Sequence, residues 1–240
     1  MAEVTLRALS KRFGETRAVD DLTTEFVAGA VTGFLGPNGA GKSTTLRMAL
    51  GLIRPTSGAA LIGGRRYAEL HRPLRTVGAV LESGAFHPAR SGRNHLRLVA
   101  HLGEISEARV DAVLDAVDLT AAADRRVGGY SLGMRQRLSL ATALLGDPEV
   151  LVLDEPANGL DPAGMAWLRG LLRGLADEGR TVVISSHILA EVAQTVDRLV
   201  IVGEGRLRFD GTAAELTAYG ETLESAFLRL TAAPVGGAVA

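Results

Sequence analysis

The chain has no cysteine among its 240 residues, which excludes disulfides, thiolate catalysis and cysteine-ligated zinc. Its five histidines, His71, His87, His95, His101 and His187, show no metal-ligand spacing. It also lacks any run of about 20 apolar residues, the length needed to cross a bilayer as a helix. Apolar residues make up 47% of the sequence but come as short runs. Those at Val150-Leu151-Val152-Leu153, Thr181-Val182-Val183-Ile184 and Leu199-Val200-Ile201-Val202 suit buried strands. The first eleven residues lack the basic-then-apolar pattern of a signal peptide, so a cytosolic protein is expected. Neither sign of charge is in excess: 26 Lys and Arg stand against 27 Asp and Glu. A dedicated nucleic-acid binder shows a basic surplus, so no nucleic-acid partner is expected. There is no internal repeat, and the only low-complexity stretch is the tail at 231–240, whose small residues predict flexibility. The length suits one large domain, or a core with a small lobe.

Up to about residue 31, apolar positions alternate at Val4 and Leu6, then at Leu22, Thr24 and Phe26, which predicts antiparallel strands. From Val31 the pattern changes. Val31-Thr32-Gly33-Phe34-Leu35 reads as a short apolar strand, followed by a glycine-rich turn and a helix over about 42–50. Between 83 and 145 the chain reads as mainly helical: Val110, Val113, Leu114 and Val117 recur at i, i+3, i+4 and i+7, and Met134, Leu138, Ala141 and Leu145 do so roughly. Strands are then predicted at 149–153 and 181–185, with a helix between them. Asp161-Pro162 supplies that helix with a capping side chain and a proline at its first position. Its apolar stripe is Met165, Leu168, Leu172 and Leu175. Buried strands alternating with helices predict an α/β fold with a mainly parallel sheet covered on both faces. The helical stretch reads as an inserted lobe.

Residues 36–44, GPNGAGKST, match the phosphate-binding loop GxxxxGK[ST] between a strand and a helix. Gly36, Gly39 and Gly41, with Pro37, Asn38 and Ala40 between them, let the backbone wrap so that successive N–H groups face phosphate. The helix that begins there adds its positive dipole end. Lys42 is placed for the β- and γ-phosphates, the Ser43 hydroxyl for Mg²⁺, and Thr44 continues the first turn. The strand at 150–153 runs into Asp154-Glu155, two carboxylates at the strand end where ligands collect in such sheets. Asp154 is the candidate Mg²⁺ holder, and Glu155 the candidate base for an attacking water. No Asn-Lys-x-Asp motif for guanine is present.

A third motif narrows the class. GYSLGMRQRL at 129–138 resembles the signature of ABC ATPases, whose usual form is LSGGQ followed by a basic and polar pair. Ser131 and Gly133 fall on its serine and second glycine, whereas Tyr130, Leu132 and Met134 depart from it. A serine capping a helix can present its hydroxyl and nearby N–H groups to an anion. The resemblance implies that this anion is the γ-phosphate of ATP held by the opposite protomer. Further likenesses follow in the family's order. Asn158-Gly159-Leu160-Asp161 resembles the loop at the dimer interface, and Ser185-Ser186-His187 resembles the switch-histidine segment. Phe13, in Lys11-Arg12-Phe13-Gly14, is similar to the aromatic that stacks on adenine. Where the family has glutamine between core and helical lobe, the segment Val77-Gly78-Ala79-Val80-Leu81-Glu82 presents Glu82, which can accept from Mg²⁺-bound water but cannot donate as an amide does. With SLGMRQR, this glutamate resembles the export branch for drugs, lantibiotics and other natural products.

The resemblance spans about residues 4–210, with 223–230 similar to that branch's short terminal helix. It implies a P-loop NTPase core with an N-terminal antiparallel β lobe and an inserted α-helical signature subdomain at about 83–145, within one domain over 1–230. It further implies a cytoplasmic ATPase that uses ATP and Mg²⁺ and pairs with a second ATPase subunit, a homodimer being self-sufficient. Such a subunit sits on the inner face of the membrane through an integral permease. Chromosome-type relatives carry long coiled coils between these motifs, and no sustained heptads occur here. Retention of Glu155 and His187 argues against an inactive nucleotide-dependent regulator.

Overall fold

The computed structural model describes residues 1–81, 86–187, 192, 194–218 and 220–232. The alternating N-terminal segment folds as a hairpin of β1 (Val4–Phe13) and β2 (Thr16–Phe26). Val4, Leu6, Leu22, Thr24 and Phe26 point inward, as the alternation requires. The period breaks at Ala8, which has a φ of 47°, and the resulting bulge turns Leu9 inward. The chain then forms β3 (Ala30–Leu35), the glycine-rich turn and α1 (Lys42–Ala49). It returns as β4 (Ser57–Ile62), which pairs with the far side of β1. The antiparallel lobe therefore has the strand order β2-β1-β4 and draws its third strand from beyond the residues that the alternation marked.

A short helix, α2 (Pro73–Thr76), leads into β5 (Val77–Val80). The sequence pattern marks this segment only as a connection to the helical lobe. In the structure it is the edge strand of the main sheet, paired in parallel with β6 (Val150–Asp154). Close packing explains why: a Cβ on Gly78 would meet the carbonyl oxygen of Ala143 at 2.1 Å, so β5 presses directly on the helical layer.

The helical lobe comprises α3 (Gly92–Leu102), α4 (Ala108–Ala116) and α5 (Leu132–Leu144). The predicted stripe Val110, Val113, Leu114 and Val117 is buried, together with Leu138, Ala141 and Leu145, while Met134 is half-buried. After β6 come α6 (Pro162–Asp177), β7 (Thr181–Ser186), β8 (Arg198–Gly203) and β9 (Arg206–Gly211). A terminal helix, Leu223–Thr231, occupies the predicted place.

The main sheet has the order β5-β6-β7-β3-β8-β9. Pairing is parallel from β5 to β8 and antiparallel at β9. Strand β9 has no apolar run: exposed Arg206, Arg208 and Asp210 alternate with half-buried Leu207 and Phe209, and the strand pairs antiparallel with β8. Along the parallel strands, successive side chains enter different cores. Leu151, Leu153, Val182 and Ile184 join the core under α6 and the helical lobe. Val150, Val152 and Val183 join the core under α1 and the antiparallel lobe.

Candidate functional site

The turn between β3 and α1 is shaped by backbone crowding. Gly41, the cap of α1, has a φ of 96°, and a Cβ there would meet the Ala18 carbonyl oxygen at 2.3 Å. A Cβ on Gly36 would meet the Val202 carbonyl oxygen at 2.4 Å. The turn is thus wedged between β2 and the end of β8. Pro37, Asn38 and Gly39 form its exposed crest, and the Ala40 N–H closes it by donating to the Pro37 carbonyl over 3.1 Å. No side chain caps α1. The N–H groups of Lys42, Ser43 and Thr44 therefore lie at a helix N-terminus with its dipole end uncompensated, an arrangement that attracts anions.

Lys42 is buried, and its Nζ donates to the Gly36 carbonyl at 2.6 Å and to the Pro37 carbonyl at 3.2 Å. Burial holds its pKa below the ordinary lysine range, opposed by the Glu155 and Asp154 carboxylates. That electrostatic reach ties the two motifs together. It follows from the strand order, which sets β6, β7 and β3 side by side so that their carboxyl ends deliver Asp154-Glu155, His187 and the phosphate loop to one edge.

Asp154 continues the Val150-Val152 face of β6, toward α1, and is buried. The Ser185 hydroxyl donates to its Oδ1. Glu155 has left-handed backbone, with φ at 52°, a conformation that costs a non-glycine residue energy and recurs at functional sites. Its N–H donates to both the carbonyl and the Oγ of Ser185, at 3.2 Å and 3.1 Å. Its Oε1 lies 2.8 Å from Nδ1 of His187.

The signature residues sit elsewhere on the chain. Ser131 caps α5 by accepting from the Met134 N–H at 3.2 Å, and Gly133 follows in the first turn. Among the described residues, no hydrogen bond joins either one to the phosphate loop. Gly133 instead approaches the Gly159-Leu160 loop: a Cβ there would lie 3.3 Å from the Gly159 carbonyl oxygen. Gln136, which lies within the GYSLGMRQRL motif but to which the sequence assigns no role of its own, is buried and donates from Nε2 to the Pro156 carbonyl at 3.0 Å. It therefore fastens the signature helix to the segment after Glu155. Asp161 is engaged as the cap of α6, accepting from the Gly164 N–H at 2.7 Å.

Phe13 ends β1 at the hairpin tip and is 50% exposed, with the Lys11 ammonium 4.9 Å from its ring centroid. Because Lys11 pairs with Val19, and Ala18-Val19 packs on Gly41, the hairpin carries this ring toward the phosphate loop. Glu82 lies outside the described residues. Ser185 is the other residue to which the sequence assigns no role. The signal for it is its place near the end of the apolar run at 181–184, two residues before His187.

The donor set suits Mg²⁺, which takes one or two protein oxygens and shares the rest of its shell with phosphates and water. Ser43, in the first turn of α1, and Asp154, on the strand face toward α1, are hard oxygen donors beside the uncapped head of that helix.

Fold and site together define a P-loop nucleoside triphosphatase. The ABC transporter family profile matches residues 19–158. The bacitracin transport ATP-binding protein BcrA of Bacillus licheniformis is 45% identical over 202 residues, which cover 83% of this chain and 66% of that protein. The lantibiotic transport ATP-binding protein SrtF of Streptococcus pyogenes is 35% identical over 211 residues, covering 86% of this chain and 91% of that one. A solved ATP-binding subunit of an ABC transporter superposes with a TM-score of 0.86 at 27% identity, over 95% of this chain and 98% of that one. The chain belongs to the ABC transporter family and carries its ATP-binding domain. It spans about two thirds of the length of the bacitracin relative. Among the described residues, no helix is long and apolar enough to cross a membrane.

Proposed function

We propose that this chain binds and hydrolyses MgATP as the ATPase subunit of an exporter, pairing with a second copy around the nucleotide to drive a separate integral membrane permease. The supporting observation is the row of strand ends that sets Asp154, Glu155 and His187 beside the phosphate loop. The names of the bacitracin and lantibiotic relatives support transport of antibiotic-like compounds. The subunit would then work at the cytoplasmic face of the membrane through its permease.

In the proposed cycle, Phe13 stacks on the adenine, and the N–H groups at the head of α1 and the Lys42 ammonium bind the β- and γ-phosphates. Ser43 and Asp154 would hold Mg²⁺, and the resemblance assigns Glu82 to the same ion. When bound, the ion neutralises phosphate charge and fixes its orientation. Glu155 orients the attacking water and takes its proton. His187, already 2.8 Å from Glu155, keeps that carboxylate aimed and through it senses the γ-phosphate.

Ser131 and Gly133 serve the nucleotide of the partner subunit, with Asp161 at the interface between the two. Among the described residues neither is hydrogen-bonded to its own chain's phosphate loop, and Gln136 ties their helix to Pro156 instead, which supports a target on the partner. ATP then bridges two protomers, and its hydrolysis removes the bridging γ-phosphate and lets them part.

Light scattering tests the pairing. The Glu155→Gln variant is expected to double its mass with MgATP and to remain a monomer without it. Adding Ser131→Arg, which places a bulky cation where the partner's phosphate would sit, is expected to abolish the dimer while monomer ATP affinity changes less than about threefold. A dimer that survives Ser131→Arg would overturn the role in trans.

A further inference from the structure

We infer that Ser185 is a positioning residue that holds the metal-binding carboxylate Asp154 and the general base Glu155 in register through one hydroxyl group, an assignment that rests on the roles proposed above for those two acids. The geometry is specific. Ser185 is fully buried near the end of β7 and pairs across the sheet with Asp154. Its Oγ–H donates to Asp154 Oδ1, and the same oxygen accepts the Glu155 N–H at 3.1 Å. A hydroxyl can donate and accept at once, and here both functions are used on adjacent residues, the last of β6 and the one after it.

Each bond has a distinct consequence. The bond to Asp154 engages Oδ1 and orients the carboxylate, and among the described residues Oδ2 accepts no hydrogen bond, so it is the oxygen that would face a metal-bound water. The bond to the Glu155 N–H supports a backbone held at a φ of 52°. A non-glycine residue stays in this region only where its surroundings over-determine it. The other partner of that N–H is the Ser185 carbonyl at 3.2 Å, so both its acceptors belong to one residue. His187, two residues further along the chain, contacts the Glu155 carboxylate. The carboxyl end of β7 thus grips Glu155 at backbone and side chain, and Asp154 at its side chain.

Removing the hydroxyl should affect the metal and the chemistry without touching the nucleotide's own contacts, which lie on the phosphate loop and on Phe13. In Ser185→Ala, the ATP affinity of the full chain measured in EDTA is expected to stay within about twofold of wild type. The gain in affinity on adding Mg²⁺ is expected to fall at least about fivefold, and kcat at least about tenfold with KM in MgATP rising. Ser185→Thr keeps the hydroxyl on a residue suited to strands and is expected to restore the Mg²⁺-dependent gain. Thermal unfolding of both variants shows whether the fold survives.

A folded Ser185→Ala with the wild-type Mg²⁺-dependent gain and kcat overturns the inference. So does an equal loss in EDTA and in Mg²⁺, which would mean general damage to the site. If Ser185→Ala proves too unstable to measure, a folded Ser185→Thr that lacks the Mg²⁺-dependent gain despite its hydroxyl overturns the inference, and one that retains the gain supports it. Asp154→Asn separates this failure from that of the underlying reading: if it leaves the Mg²⁺-dependent gain intact, Asp154 is not the metal holder, whatever Ser185 does.

Discussion

Glu155→Gln is expected to bind MgATP about as well as the wild-type chain and to hydrolyse it at least about 100-fold more slowly. The substitution conserves shape, and an amide oxygen can still face Nδ1 of His187, where the carboxylate now lies at 2.8 Å. What disappears is the negative charge and the capacity to take a proton from water. A positioned acid or base contributes about 10²–10⁴ in rate, and each tenfold corresponds to about 1.4 kcal/mol of barrier. Phosphate contacts are untouched, because they belong to the head of α1 and to Lys42. Single-turnover hydrolysis, measured beside equilibrium ATP binding, separates the two quantities. Turnover within about threefold of wild type would remove Glu155 as the base and leave His187 or water itself to do that work.

Lys42→Ala is expected to lower ATP affinity about 10- to 100-fold, with folding retained. A hydrogen bond to a charged group contributes about 1.5–3 kcal/mol, and about 1.4 kcal/mol is one decade in affinity. The ammonium is buried inside the loop, so its pairing with phosphate is poorly screened by solvent. Its pKa, although held below the usual lysine range by burial, is supported by Asp154 and Glu155, so the charge required for phosphate binding is favoured by the site's own acids. The variant leaves the backbone N–H groups of α1 in place, and these retain the weaker residual binding. Calorimetry against ATP, with a thermal melt to verify the fold, reads the effect. Unchanged affinity would sink the assignment of 36–44 as the phosphate loop.

Legibility in the sequence follows how local each feature is. The phosphate loop, the Asp154-Glu155 pair and the Asp161-Pro162 helix start are each built from adjacent residues, so a short stretch of sequence carries the whole signal. The apolar runs mark β3, β6, β7 and β8 because both their faces are buried. Strand β9 and the edge strand β5 leave no such mark. The first alternates charged residues with Leu207 and Phe209, and the second is only four residues long, so neither forms an extended apolar run. The bulge at Ala8 is hidden for a related reason: alternation reports which residues turn inward only while the register is unbroken.

Residue identity and spacing specify the chemistry available to this protein: a glycine-rich turn that frees backbone N–H groups, a lysine and a serine at its end, two acids after a buried strand, and a histidine after the next. Which of these groups meet is decided by the folded sheet. The order β6-β7-β3 brings His187 to Glu155 across 32 residues of chain and Ser185 to Asp154 across 31. The packing of α5 likewise fastens Gln136 of the signature helix to Pro156. Strand order is set by which faces can be buried together, a property of the whole sheet and its two cores that no short stretch of residues records.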